Sequence, residues 1–163
     1  MTQRPANIRL AEPKDEEAIL ALMNLAFFEQ PIFPLDETKM RDKIRVCTER
    51  RGGFVALAQG ADGAIEGYLI ACLAQYWYSD AWHMEELSNF VHPDHRKGKH
   101  HARDLLEFAK WFAETMNVPL LIGILSTQRL AAKTRLYQRQ ATLAGAVFVH
   151  NTGHLNNALS EVG

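Results

Sequence analysis

Charge of one sign is scarce in this sequence. Across 163 residues, 18 Lys and Arg stand against 19 Asp and Glu, a formal net charge of -1. A dedicated nucleic-acid-binding domain is usually plainly basic, so nucleic acid is set aside as the main partner and survives only through a local basic loop. Long apolar runs are missing too. None approaches the ~20 residues needed to cross a bilayer, and residues 1–7 are polar, without the apolar stretch of a signal peptide. A cytoplasmic chain without a membrane partner is the expectation. Only two cysteines occur, Cys47 and Cys72, one in a candidate helix and one in a candidate strand, with no short metal-ligand spacing. They read as two reduced, mostly buried thiols. No repeat, low-complexity stretch or linker interrupts the chain. One domain over residues 1–163 is expected, its polar tail 151–163 fraying.

What is present suffices for a core, since 47% of the residues are hydrophobic. Ile8-Arg9-Leu10 alternates as a short strand does. Asp15 is placed to cap a helix whose apolar positions Ala18, Ile19, Leu22, Met23, Leu25 and Ala26 recur at helical spacing. After a loop bracketed by Pro31 and Pro34, Asp36 opens a second helix to about Thr48. Strands follow at 54–59 and 64–74, joined by Gly60-Ala61-Asp62-Gly63, a hairpin signal. A third runs from Trp82 to Val91, where His92-Pro93 stops it. From His101 to Met116 the apolar residues Ala102, Leu105, Leu106, Ala109, Phe112 and Ala113 form a stripe at spacings of three and four, the clearest helix in the chain. A buried strand is expected over 118–125, a helix over 127–140 and a last strand over 146–150. The order β-α-α-β-β-β-α-β-α-β describes an α/β arrangement around a mixed central sheet.

The segment Val91-His92-Pro93-Asp94-His95-Arg96-Lys97-Gly98-Lys99-His100-His101-Ala102-Arg103-Asp104-Leu105-Leu106 carries chemistry. A strand ends at proline, a basic glycine-containing loop follows, and a helix begins at once. Helix-start amides lack intrahelical partners and carry the positive end of the dipole, so this is a seat for an anion such as a diphosphate. A metal site built from His92, His95, His100 and His101 is disfavoured, because no Cys and no i, i+4 ligand pair accompanies them.

The segment resembles the central motif of the GNAT superfamily N-acetyltransferases: Val-x-Pro-x-x-Arg, an Arg/Gln-x-x-Gly-x-Gly/Ala loop, then a helix starting Leu-Leu. The element order agrees with the GNAT (acyl-CoA N-acyltransferase) fold along nearly the whole chain. The match is divergent. Anchored on Leu105-Leu106, Lys97 stands where Arg or Gln is usual, His100 replaces the middle glycine and Ala102 takes the last position; anchored on Val91 to Arg96, the loop shifts by one residue. Glu-Glu-Leu in the third long strand and the later Arg-Leu-Tyr are similar to phage- and prophage-borne members.

The resemblance implies acetyl-CoA as cosubstrate, its pyrophosphate gripped by Arg96, Lys97, Gly98, Lys99, His100, His101 and Ala102, and its thioester carbonyl met by backbone near Phe90 and Val91. Glu85 and Glu86 lie mid-strand, and alternation sends them to opposite faces. Distance from Val91 favours Glu86 as proton acceptor, with Glu85 and His83 behind it. Tyr137 in Arg135-Leu136-Tyr137 resembles the family's Leu-Tyr pair, whose tyrosine protonates the departing thiolate. An alignment on Gly145 instead puts Ala141 there. Thr127 or Gln128 stands near the family's cofactor-contacting asparagine, and Phe27, Phe28, Phe33, Trp77 and Tyr78 fall where an acceptor pocket is usually built.

The resulting expectation is acetyl transfer to a primary amine, on a small molecule or a protein, by direct attack in a ternary complex, in a chain for which the family suggests a homodimer. Two alternatives stay open: a catalytically silent GNAT-like binding or structural module, and a nucleic-acid-associated protein using the basic loop.

Overall fold

A computed structural model of the chain describes residues 2–29, 32–126 and 128–148. Its elements are β1 (Ile8–Leu10), α1 (Glu16–Phe27), α2 (Glu37–Thr48), β2 (Gly53–Gln59), β3 (Ile65–Gln75), β4 (Trp82–Val91), α3 (His101–Met116), β5 (Leu120–Leu121) and α4 (Leu130–Gln138). The strands form one mixed sheet in the order β1-β2-β3-β4-β5. The first four are antiparallel, and β5 runs parallel to β4. Among the described residues no helix is long and apolar enough to cross a membrane.

Helices cover both faces of the sheet, which is why β2 and β3 are apolar almost without interruption. On one face Phe54, Ala56, Leu69, Ala71 and Met84 pack against Leu105, Leu106, Phe108, Ala109 and Ala113 of α3. On the other, Val55, Leu57, Tyr68, Ile70 and Phe90 meet Ile19, Leu20 and Leu22 of α1 and Ile44 of α2. Each large side chain buried this way contributes about 1.5–3 kcal/mol, so the α3 stripe anchors the second half of the chain.

Local signals explain most boundaries. Asp36 Oδ1 accepts from Lys39 N at 3.0 Å and starts α2. The β2–β3 turn closes through Gly60 N to Ala64 O at 2.9 Å and Gly63 N to Gly60 O at 3.0 Å. Asn117, in the left-handed region at φ 54°, ends α3.

Three expectations need correction. Asp15 does not cap α1 with its side chain; its carboxylate accepts from Arg9 at 2.7 and 2.9 Å and from Glu12 N at 2.8 Å, bracing the turn before the helix. The strand expected over 118–125 pairs only at Leu120 and Leu121, with Met84 and Glu85. No strand forms over residues 146–148; residues 149–163, which hold the rest of that strand and the polar tail, lie outside the described residues.

The register shifts once inside β4. Ile70 and Ala71 of β3 are consecutive, yet they face Ser88 and Glu86, leaving Leu87 unpaired as a β-bulge. The extra residue inverts the alternation beyond it. Met84 and Val91, seven positions apart, therefore share the α3 face, while Phe90 turns to the α1–α2 face.

Candidate active site

β4 outruns β5. Beyond Glu85 it has no partner on that side among the described residues, and a cavity of about 160 Å³ opens between the end of β4, the start of α3 and α4, lined by Val91, Lys99, His101, Ala102, Lys133 and Tyr137 among others. An exposed strand edge beside a helix start places backbone donors on two sides of one cleft.

The loop from β4 to α3 is braced from below. After a single 3₁₀ turn over Pro93–His95, the Arg96 side chain folds back. Its Nε donates to Val91 O at 2.8 Å, its Nη2 to Glu29 Oε1 at 2.6 Å, and its guanidinium lies 5.1 Å from the Phe90 ring centre. Arg96 is thus committed to holding the loop on the strand. Gly98 takes φ 70°, Lys97 and His100 are exposed, and Ala102 is half-buried. The first intrahelical bond of α3 runs from Asp104 N to His100 O at 2.9 Å. The amides of His101, Ala102 and Arg103 find no acceptor among the described residues.

Three loop side chains converge on Glu66 of β3, a residue that the sequence pattern does not single out. Lys99 Nζ donates to both carboxylate oxygens at 2.6 Å, His101 Nε2 lies 2.5 Å from Oε2, and His95 Nδ1 lies 3.2 Å from Oε1. Burial alone would raise this carboxyl. The Lys99 and His101 hydrogen bonds and the neighbouring charges outweigh it and hold the group below the usual carboxylate range. Gly60 leaves room for it, since a Cβ there would collide with Glu66 Oε1. A charged residue next to glycine in an otherwise apolar strand was the available signal.

Glu86 and Tyr137 meet. Glu86 lies on the α3–α4 side of the sheet and is buried, whereas Glu85 is exposed on the other. Tyr137 Oη donates to Glu86 Oε1 at 2.8 Å. Burial pushes the Glu86 carboxyl up to about 8 against the opposing pull of Tyr137 and Lys133. Burial, then the Glu86 charge, raises the Tyr137 phenol well above its ordinary value. Glu86 Oε2, Asn89 Oδ1 and His101 Nδ1 are buried without a hydrogen-bond partner among the described residues. Such atoms are costly unless a further group reaches them.

Asn89, Glu29 and Lys133 are likewise silent in the sequence. Asn89 Nδ2 donates to Ala102 O at 3.2 Å, pinning the first turn of α3 to β4. Lys133 Nζ reaches Ser126 Oγ at 3.0 Å and Glu29 Oε2 at 3.5 Å, linking α4 to the end of α1. These pairings depend on tertiary neighbours, and no local pattern marks them.

Other candidates fall elsewhere. His83 is buried on the face opposite Glu86, its ring 6.4 Å from that of Tyr76. Gln128 Nε2 donates to Phe28 O at 3.4 Å, while Thr127 lies outside the described residues. The aromatic candidates do not form one pocket. Phe27 and Phe33 line a groove beside α1 and α2, Phe28 is exposed, and Trp77 and Tyr78 project from the β3–β4 connection. No group of three or more metal-ligating side chains is present among the described residues.

A mixed sheet whose fourth strand parts from a short parallel fifth, with a basic loop and helix start at the parting, is the GNAT acetyltransferase fold, and solved structures of that fold match this chain. A GNAT family acetyltransferase from Staphylococcus aureus superposes with a TM-score of 0.61 at 17% identity, over 88% of this chain and 96% of its own. A ribosomal-protein-alanine N-acetyltransferase from Brucella melitensis reaches 0.67 at 18% identity, over 88% and 96%. An aminoglycoside 6'-N-acetyltransferase from Acinetobacter haemolyticus reaches 0.67 at 15% identity, over 88% and 95%. No family model matches the chain, and no curated protein sequence does.

Proposed function

We propose that the chain is a cytoplasmic N-acetyltransferase of the GNAT type that moves an acetyl group from acetyl-CoA to a primary amine, on a small molecule or a protein, by direct attack in a ternary complex. The observation that carries this reading is the half-buried Tyr137–Glu86 hydrogen bond at 2.8 Å, beside the open edge of β4. The donor set fits a diphosphate: acceptor-free amides at the start of α3, with Lys99 at the rim. Acetyl-CoA supplies the activated acyl group.

The residues divide the remaining work. Backbone donors along the unpaired edge of β4 polarise the thioester carbonyl. Glu86, with its carboxyl near 8, takes a proton from the attacking ammonium in its ionised form, a minor population at neutral pH that grows as pH rises. Tyr137 gives its proton to the departing sulfur and regains one from Glu86 through the bond they already share, while the second proton of the attacking nitrogen, lost as the amide forms, goes to solvent. The pair returns to its starting state when Glu86 has passed that proton on. Much of the rate comes from holding amine and thioester in one cleft.

A second reading is favoured by Glu66. Because it already holds Lys99 and His101, the chain could be a catalytically silent module with a neutralised loop. The nucleic-acid reading loses support because Arg96 spends its charge on a buried carboxylate and the chain carries no net positive charge. Calorimetry with acetyl-CoA and desulfo-CoA, followed by thiol release across an amine panel, tests all three. Binding with release supports the transferase, binding without release across the panel supports the silent module, and no binding at millimolar ligand removes both.

A further inference from the structure

The two cysteines lie outside this machinery, and the fold brings them together. Cys47 sits near the end of α2 and Cys72 in β3, yet their Sγ atoms are 3.6 Å apart. Gly53, the β2 residue paired with Cys72, makes the contact feasible: a Cβ there would stand 2.9 Å from Cys47 Sγ and 3.2 Å from Cys72 Sγ. Both thiols are free. Their settings differ. Cys47 is fully buried, whereas Cys72 is half-buried and lines a groove of about 500 Å³. Apolar Leu73, Trp82 and Met116 form part of its wall, with the cations Lys43 and Arg51 beside them. Arg51 is paired with Glu49 at 2.6 Å, and Lys43 is the cation whose charge acts on the Cys72 thiol. The hydrogen bond with Cys47 brings the Cys72 thiol down to about 7 against its burial, helped by Lys43 and opposed by Glu85. The same bond, with burial, pushes Cys47 up. One sulfur is therefore a reachable nucleophile, and the second stands protonated directly behind it.

We propose that Cys72 is a thiol-modification site for anionic low-molecular-weight disulfides that enter the groove beside Lys43, and that Cys47 resolves the adduct into an intramolecular disulfide. The Cys72 thiolate attacks one sulfur of the small disulfide. A mixed S–S bond forms, the small molecule's own S–S bond breaks, and its first thiolate leaves. Cys47 then releases its proton to solvent and its sulfur attacks Cys72 Sγ. The second small thiolate departs with the electron pair of the mixed bond. Each cysteine has lost one electron, and one small disulfide has become two thiolates.

The test uses the whole protein, oxidised glutathione at neutral pH, intact-mass spectrometry and a free-thiol count. Wild type should lose both thiols and two hydrogens in mass, retain no glutathione, form no covalent dimer and revert fully with dithiothreitol. Cys47→Ser should stop at an adduct with one glutathione, and Cys72→Ser should take up none in the same time. Lys43→Ala should slow the reaction severalfold with oxidised glutathione and distinctly less with cystamine, which is cationic and is repelled by the same ammonium. Two persisting thiols in wild type, a retained adduct, or uptake by Cys72→Ser would overturn the site. Equal slowing with both reagents would overturn the anionic groove. Because Cys47 is buried, Cys47→Ala serves beside Cys47→Ser, and the wild-type mass reading stands without either.

Discussion

Tyr137, on α4, donates its phenolic hydrogen to Oε1 of Glu86, on β4, across 2.8 Å. The contact ties the last described helix to the sheet at the residue just before the bulge. It leaves the other carboxylate oxygen without a partner among the described residues.

Replacing the phenol tests the acid role. Tyr137→Phe should lower kcat by about 10²-fold and leave acetyl-CoA affinity unchanged in calorimetry. Unchanged turnover would reassign Tyr137 to packing against the α3-side core, which it also touches.

Glu86 predicts a pH dependence with a definite sign. Its folded carboxyl lies near 8, above the 4.5 of an unperturbed glutamate. The folded state therefore binds this proton more tightly than the unfolded chain. The associated stability is fully present below the unfolded value and is lost as pH rises through about 8. Thermal melts of Glu86→Gln against wild type should nearly coincide in acid and diverge as pH rises, the variant becoming the more stable by a few kcal/mol. In activity the sign reverses: wild-type kcat/KM should climb with pH toward a plateau above about 8, and Glu86→Gln should lose both the limb and most of the rate.

Glu66 behaves oppositely. Its carboxyl is held below the ordinary range, so its contribution is present above the unfolded value and lost as pH falls through the folded one. Glu66→Gln should destabilise the protein at neutral pH by about 1–3 kcal/mol, since a buried charged hydrogen-bond acceptor is removed while Lys99 can still turn to water. The difference should shrink in acid, as followed by denaturant unfolding across pH.

Lys99 and Lys97 separate by their settings. Lys99→Ala should weaken acetyl-CoA binding about tenfold and flatten its salt dependence, because the ammonium lines the cavity. Lys97→Ala should cost less, as an exposed charge is screened. Equal affinities for wild type and Lys99→Ala would place the diphosphate seat elsewhere.

Legibility tracks the range of the interactions. β4 and α3 fall where the sequence puts them, because proline at one boundary and an apolar stripe along the other element are local facts. The apolar run over 118–125 overstates its strand: apolar residues can fill space beside a sheet without pairing in it, and only Leu120 and Leu121 fall in register with β4. α4 starts later than position 127 because Arg129 turns to φ 55°, which a helix interior does not accept. Glu86 and Tyr137 can be nominated from spacing, but their contact cannot, since it needs α4 laid against β4. Glu66 is hidden for the same reason: its partners lie 29 to 35 positions further along the chain.

Leu87 has a bearing on how this strand tolerates change. By occupying a place that nothing opposite answers, it puts Met84 and Glu86 in step with Asn89 and Val91, although the step from Glu86 to Asn89 spans an odd number of positions. Deleting Leu87 would remove the bulge and restore plain alternation, so the carboxylate and Asn89 would still share one face of the sheet. Substitutions along β4 are judged by chemistry, but insertions and deletions there are judged by parity.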